Sequence, residues 1–387
     1  MEKKQYIYSV NLFISIIYLI SIILLLFIEG KLFYPKSYSL KFFLIGIIAI
    51  IINSSLFIFE RLKLHKKIRL FSIKFNLIEA FLIPILIISL SALGGMIYSD
   101  NFLLKKESNN EWSIGIYLSE SKIPINFSDE HLNNPVLTRL NIFDTKALFI
   151  ADPFLIYENN MFYMFFEIDS ATTFKGSIGL AESSNGFNWT YKQIVLDEPF
   201  HLSYPCVFKY NNTYYMIPES AEVKSIRLYK ALDFPYNWVF IKTLIAGGDF
   251  VDNTIFYFND TWWLFTEKLN KASLYLYYSD SPFGPWIEHP KNPIVYKDLN
   301  ISRPGGNVIV FDNEIIRYAQ DDYLSYGNQI WAFEITKLSK NEYQEKRIDD
   351  KPILKGYDNW NKLGVHQISI CRIDNKWIAA VDGDGKP

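Results

Sequence analysis

The sequence predicts an all-β fold, a five-bladed β-propeller, preceded by a three-helix transmembrane anchor. Two features of residues 112–387 indicate a β domain, namely their composition and the spacing of their turn residues. Residues 112–387 are rich in Tyr, Phe, Trp, Ile and Val, and Asn, Asp, Gly and Pro interrupt them every 8–12 residues, as in an antiparallel all-β domain. A third observation, long uncharged runs within residues 1–99, indicates the anchor. We therefore divide the chain into an anchor (1–99), a linker (100–111) and a propeller (112–387).

The anchor prediction rests on three uncharged runs, which comprise residues 7–28, 42–59 and 80–98. Each is close to the ~20 residues that cross ~30 Å of hydrocarbon, so three helices are expected to contact membrane lipid. A cleaved signal peptide is the alternative for the first run, but 22 residues exceed the usual apolar core of such a peptide. Because the six bases between Arg61 and Lys74 should stay in the cytoplasm, the N-terminus is expected there and the propeller outside.

Charge and residue usage exclude several classes of function. Residues 1–99 carry 11 basic and 4 acidic side chains, so 28 basic and 37 acidic ones remain for the rest of the chain. This acidic balance argues against a nucleic acid partner, because phosphate binding needs a basic face. Two Cys rule out a disulfide scaffold, and five His without a short paired spacing give no pattern for a metal centre. We therefore expect no metal and no cofactor.

A strand, an Asn/Asp turn and a second aromatic strand recur five times, with turns that begin at residues 159, 211, 259, 312 and 374. The periods of 52, 48, 53 and 62 residues match four-stranded propeller blades, and a β-sandwich is the alternative. The fifth copy lacks two strands, because only five residues follow Asp382. Residues 112–140 resemble outer strands, and we expect them to complete blade five and close the ring.

Acidic residues recur where the strands should meet one rim of the central channel. The inner strands are expected to begin at Asp152, Tyr204, Asp252, the 303–306 stretch and His366. The next strands are expected to end at Glu167, Glu219, Glu267, Gln320 and Asp382. One interpretation is that each acid only caps a turn and keeps the rim soluble. The other is that the set forms a site.

Two further features favour a site at this rim. Asp152 follows the apolar residues 148–151, and a carboxylate placed there needs a partner such as Arg303 or His366. Aromatic residues near the same rim would suit stacking on sugar faces, although such residues are more often core; they are Phe200, Tyr204, Tyr318 and Tyr326.

The openings of blades one and three, Asp152-Pro153 and residues 251–256, resemble the five-bladed propellers of glycoside hydrolase families 43 and 32. That resemblance implies that Asp152 is the base or nucleophile and that Asp252 orients it. Where the acid Glu would be expected, this chain has Ser302-Arg303-Pro304, so Glu219 or Glu267 would have to replace it.

A closer resemblance involves residues 112–117, 151–154, 198–205, 217–220, 302–306 and 318–321. Together they are similar to the propeller at the N-terminal side of glucosamine inositolphosphorylceramide transferases and their bacterial relatives. This resemblance covers roughly residues 112–382. The plant transferases carry their catalytic domain after the propeller, so transferase activity is not implied for this chain.

Three hypotheses follow. A glycosidase-like enzyme of the cell surface would use Asp152, Asp252 and Glu219 or Glu267 on a glycan or glycolipid. A sugar-binding protein would use the same rim without turnover, with contacts from His201, Tyr204, Arg303, Gln320, Asp321 and His366. A scaffold would use the propeller as a platform for envelope glycan-assembly proteins.

Overall fold

The computed structural model describes residues 111–269 and 271–386. The three predicted spans, at residues 7–28, 42–59 and 80–98, lie outside this part. Within the described residues, no helix combines the length and the apolar character that a bilayer crossing requires. Short 3-10 helices occur at Arg139–Asn141 and Ala221–Val223.

The described chain forms twenty-one strands, which group into five antiparallel sheets. It opens with β1 (Glu111–Ser119), which belongs to the last sheet. Blade one then contains β2 (Ala147–Glu158), β3 (Met161–Ser170), β4 (Gly176–Ser183) and β5 (Thr190–Leu196). Blade two contains β6 (Ser203–Tyr210), β7 (Thr213–Glu219), β8 (Ser225–Asp233) and β9 (Asn237–Ala246). Blade three contains β10 (Phe250–Phe258), β11 (Thr261–Lys268), β12 (Leu274–Ser279) and β13 (Ile287–Glu288). The five-bladed propeller predicted from the repeats is confirmed.

Blade four departs from the regular pattern, because its inner strand is broken at Gly305-Gly306. It contains β14 (Arg303–Pro304), β15 (Ile309–Phe311), β16 (Glu314–Asp321), β17 (Gln329–Leu338), β18 (Tyr343–Arg347) and β19 (Leu354–Lys355). Gly306 has a φ of +143° and forms a parallel bridge with Ile368 of the next blade. A Cβ at Gly306 would lie 1.7 Å from the Ile368 carbonyl oxygen, so the close approach of the two chains requires glycine.

Blade five joins the two ends of the propeller. It contains β20 (Ile368–Ile373), β21 (Lys376–Gly385) and β1, which pairs with β21 from Glu111↔Gly385 to Ser119↔Trp377. Bridges at Ile114↔Leu137 and Leu118↔Ser128 add the 128–137 segment outside β1. Strands from both ends of the propeller therefore share one blade.

The inner hairpins are set by their turn residues. Each two-residue turn carries Asn or Asp with positive φ, which suits the tight turns that join twisted strands, and these residues are Asn159, Asn160, Asn211, Asn212, Asn259, Asp260, Asp312, Asn313 and Asp374. The side chains of the strands then fill the spaces between neighbouring blades. One such cluster, around Ile116, Phe162 and Ile378, joins blade five to blade one.

Hydrogen bonds connect the inner strands around the channel, with at least one at each junction. They are Tyr204 N–H to Asp152 Oδ2 (3.1 Å), Tyr204 Oη with Thr254 Oγ1 (2.9 Å), Thr254 Oγ1 to Gly306 O (3.5 Å), Ile370 N–H to Asn307 Oδ1 (2.8 Å) and Leu155 N–H to Ser369 Oγ (2.9 Å). We call the end of the channel where the inner strands begin the funnel.

Candidate functional site

The inner strands of blades one to three each contain a β-bulge close to the funnel. Asp152, Tyr204 and Asp252 have φ values of 54°, 45° and 51°. The pairing with the second strand shifts register at the same three places. A bulge leaves an extra residue outside the ladder and redirects its side chain. Because a non-glycine residue rarely adopts this conformation, the bulges place the two aspartates at the cost of backbone strain.

The first carboxylate, Asp152, is buried between two blades. Its Oδ2 accepts the Tyr204 N–H at 3.1 Å, and its Oδ1 lies 3.2 Å from His366 Nε2. The other ring nitrogen of His366, Nδ1, lies 2.9 Å from Asp382 Oδ1, and Asp382 Oδ2 accepts the Asp152 N–H at 2.8 Å. Burial opposes the charged imidazole, but Asp382 and Asp152 outweigh it and raise the pKa of His366 well above its usual value. The two carboxylates that face the ring therefore both favour the protonated form of His366.

The second carboxylate, Asp252, pairs with Arg303. Asp252 Oδ2 accepts Arg303 Nε at 2.5 Å and Gln320 Nε2 at 2.6 Å, while the Asp252 N–H donates to Glu219 Oε2 at 3.2 Å. Arg303 also lies 3.8 Å from Asp322 through Nη1. The guanidinium therefore forms ion pairs with carboxylates from blades three and four, and the Arg303 side chain is mostly buried.

Three glutamates surround these pairs, and burial is the largest cause of the shift in each. The pKa of Glu167 is raised well above its usual value, first by burial and then by the negative charges of Asp152, Asp169 and Glu219. Burial and Asp252 do the same to Glu219, against the opposing effect of Arg303. Burial raises the pKa of Glu267 to about 7, although Arg303 lowers it. At neutral pH these carboxyls can therefore carry protons that ordinary surface glutamates have lost.

A tyrosine links the two charged groups. The Tyr326 ring centroid lies 5.0 Å from the Arg303 guanidinium carbon and 5.1 Å from the His366 ring centroid. On the other side, Trp112 packs on His366 at 4.3 Å. Asp152, Asp252, Arg303 and His366 therefore belong to one site at the funnel, together with Glu219 and Glu267.

Other predicted site residues are placed differently. Tyr204 is 0% exposed, its ring packs on Phe154 at 4.9 Å, and its hydroxyl pairs with Thr254. Its main chain contacts Asp152, but its ring belongs to the core, so the expected sugar contact of Tyr204 has no support. Phe200 and Tyr318 are also buried, which agrees with the interpretation of these aromatic residues as core.

Asp321 and His201 lie at the edges of the site. Asp321 accepts hydrogen bonds from Gln329 Nε2 (2.7 Å), Trp331 Nε1 (3.0 Å) and the Tyr323 N–H (3.1 Å), so its carboxylate is occupied by local contacts. His201 is partly exposed, with Nδ1 accepting the Gly176 N–H and Nε2 lying 3.4 Å from Glu167 Oε1.

Asp322 lies one residue beyond the 318–321 segment that the sequence analysis singled out, yet it faces Arg303. Its Oδ1 accepts the Gly327 N–H at 2.8 Å, and burial raises the pKa of its carboxyl while Arg303 lowers it. Side chains alternate along a strand, so the neighbour of Gln320 at the end of β16 points away from Asp252 and the next residue returns. That alternation is the signal that would have favoured Asp322 over Asp321.

Within the described residues, one group has the geometry of cation ligands: atoms of Asp152, His366 and Asp382 lie within 4.8 Å of one another. A metal would require a neutral imidazole with a free nitrogen. Here both ring nitrogens face carboxylates, and the raised pKa of His366 favours the imidazolium. The arrangement therefore suits a bound proton better than a bound cation.

Comparison with known proteins places these features in a family. The family model of the N-terminal region of glucosamine inositolphosphorylceramide transferase 1 matches residues 104–384. The chain is 35% identical to glucosamine inositolphosphorylceramide transferase 1 of Oryza sativa subsp. japonica over 305 residues, which are 73% of this chain and 41% of that protein. It is 34% identical to the Arabidopsis thaliana protein of the same name, covering 72% and 40%. The chain thus spans about two-fifths of the length of these relatives.

Among solved structures, a glycosyl hydrolase from Bacteroides ovatus matches with a TM-score of 0.51 and 12% identity, covering 66% of this chain and 92% of that one. At this identity the likeness shows the propeller fold alone. The sequence relationship extends further, because the matched residues 104–384 include the inner strands and all the funnel residues described above. The chain therefore belongs to the family defined by the N-terminal region of glucosamine inositolphosphorylceramide transferase 1.

Proposed function

We propose that the funnel binds the sugar head group of a glycan or glycolipid. The observation that carries this proposal is the convergence of buried acceptors and donors from four blades around Arg303. Gln320 is fully buried and donates to Asp252, while its Oε1 accepts no hydrogen bond from the described residues. The Arg303 side chain, by contrast, keeps 17% of its surface exposed, and a guanidinium set among carboxylates offers the donors and acceptors that sugar hydroxyls bind.

The names of the relatives support a glycolipid as the ligand class. Both are named glucosamine inositolphosphorylceramide transferase 1, a name that combines a sugar with a ceramide lipid. This chain spans only about two-fifths of their length, so we propose for it recognition of such a head group and not the whole reaction.

A second candidate function is acid–base chemistry on a glycosidic bond, and the environment of Glu267 favours it. The Ser302 hydroxyl donates to Glu267 Oε2 at 3.4 Å, so this carboxyl lies beside the segment where related hydrolases were expected to place their acid. Its pKa of about 7 suits a proton donor at neutral pH. Asp152 would then act as base or nucleophile, Asp252 would orient it, and Glu219 is the alternative acid.

Substitutions separate the two functions. Glu267→Gln should abolish turnover, at a cost of about 10²–10⁴-fold, while leaving sugar affinity nearly unchanged. Asp252→Asn should weaken sugar binding in either case, because Arg303 and Gln320 lose the charged acceptor that positions them. The measurements are a hydrolysis screen and calorimetric titration with a panel of soluble glycans. If neither Asp152→Asn nor Asp252→Asn changes any affinity or activity, the funnel carboxylates are structural and the scaffold hypothesis replaces this one.

We also propose that the chain is anchored in a membrane with the propeller outside the cytoplasm. The support is the three uncharged runs and the basic loop at residues 61–74. Protease added to intact cells should then cut the propeller and spare that loop. Cleavage of the loop while the propeller stays protected would show that the orientation is the opposite of the one proposed.

A further inference from the structure

Exposed apolar side chains line one side of the funnel mouth. The loop between β16 and β17 carries Tyr323, Leu324 and Tyr326, which are 65%, 79% and 50% exposed. Leu299 and Leu363, at 46% and 58%, lie on neighbouring loops. We call these five residues the apolar collar. Single exposed apolar residues are common on protein surfaces, but a group gathered beside a binding site marks an interaction surface.

The three loops of the apolar collar contact one another. The Asp322 N–H donates to the Leu299 carbonyl at 2.9 Å, which joins the first loop to the second. A Cβ placed on Gly364 would lie 2.1 Å from the Gly327 carbonyl, so the residue after Leu363 lies directly against the β16–β17 loop. The collar is therefore one surface and not a set of separate positions.

The apolar collar is held in its exposed position. The Asn328 N–H donates to the Asp321 carbonyl at 3.0 Å, and the Gly327 N–H donates to Asp322 Oδ1 at 2.8 Å. These bonds fix both ends of the seven-residue loop (322–328), so Leu324 projects from its tip. Tyr326 at the other end packs on Arg303 and His366, which makes the collar continuous with the proposed sugar site.

Basic residues flank the collar. Lys297 and Lys362 are exposed, and each lies within two residues of a collar leucine. Lys297 also lies 5.1 Å from the ring of Tyr296, which is itself exposed. Leucine and tyrosine with lysine at their edge is the composition of segments that rest on an anionic membrane surface, where the apolar side chains enter the lipid and the ammonium groups meet the head groups.

We propose that the apolar collar docks on a bilayer that contains anionic lipid, so that the funnel takes up a lipid-borne sugar while the lipid tails stay in the membrane. This inference rests on the proposed binding of a sugar head group, and it adds the surface from which the ligand is presented. It accounts for a polar, buried site bordered by side chains that water disfavours.

Photo-crosslinking of the full chain tests the proposal. Benzoylphenylalanine replaces Leu324 in one variant and Leu232 in another, and each is reconstituted with vesicles of phosphatidylcholine and phosphatidylglycerol. Leu232 is 62% exposed but lies near the end of β8 that is farthest from the funnel, which makes it a matched control. After irradiation, mass spectrometry should find phospholipid adducts at position 324 and not at 232. Equal adducts at both positions, no lipid adduct at 324, or a protein dimer at 324 would overturn the proposal.

A second measurement separates this inference from the function on which it rests. Leu324→Asp should weaken binding of a lipid-linked sugar in vesicles by about ten-fold or more, because burial of one leucine is worth at least that much. It should leave the affinity for the soluble head-group sugar unchanged, and Leu232→Asp should change neither. If neither variant alters vesicle binding while soluble sugar still binds, docking fails and sugar recognition stands. If no sugar binds but position 324 still crosslinks to lipid, sugar recognition fails and docking stands.

Discussion

Glu267→Gln should make the propeller more resistant to unfolding above neutral pH. Burial raises the pKa of Glu267 from 4.5 to about 7. Between these values the folded chain holds a proton that the unfolded chain has released, so the free energy of unfolding falls as pH rises through this window. At 1.36 kcal/mol per pKa unit, the shift corresponds to about 3 kcal/mol. This loss is absent below pH 4.5 and complete above pH 7, and glutamine removes it because it stays neutral.

The assay is urea unfolding of the full chain in mild detergent, followed by tryptophan fluorescence between pH 5 and 8. The difference in unfolding free energy between Glu267→Gln and the wild type should grow across this range and then level off. Glu342→Gln, at an exposed position, should run parallel to the wild type. A constant difference between Glu267→Gln and wild type at every pH would show that Glu267 ionises like a surface carboxyl and would remove the basis for its role as an acid.

Arg303→Gln should destabilise the fold by about 3–5 kcal/mol in the same assay, because it leaves buried Asp252 without its cation, whereas Lys340→Gln in an exposed pair should be nearly neutral. Gly306→Ala should cost more than about 4 kcal/mol, because its Cβ meets the Ile368 backbone, while Gly247→Ala, also at positive φ but with open space around it, should cost about 1–2 kcal/mol. Deletion of residues 111–119 should abolish cooperative unfolding in the calorimeter, since β21 keeps β20 but loses its other partner strand and exposes an edge; an unchanged transition would show that the ring holds without β1.

The propeller was predictable because its signals are local and repeated. The turns at residues 159, 211 and 259 are read directly from Asn and Asp pairs, and both turn residues have the positive φ that those types tolerate. The bulges at Asp152, Tyr204 and Asp252 were not predictable in the same way. They form because neighbouring blades supply acceptors for the bulged N–H groups, such as Asp382 for Asp152, and that contact joins residues 230 positions apart.

The candidate site was predictable in its residue types and less so in their roles. Asp152, Asp252, Arg303 and His366 come together as the strand ends indicated. Tyr204 occupies an equivalent position, yet its ring packs into the core. The sequence repeat gives the position along a strand, but the direction of a side chain at a bulge depends on which neighbours fill the space.

The shared blade also bears on how the chain is made. β1 is synthesised first among the described strands, yet its partner β21 lies more than 250 residues later. At about 5–20 residues per second, β1 waits roughly ten seconds to a minute for its partner. During that time apolar residues such as Ile114 and Ile116 can pack only on the blade-one side of their cluster, because Ile378 and Ala380 of β21 do not yet exist. Full burial of β1 therefore depends on a strand that is made much later, and until then the edge of β1 that pairs with β21 stays open.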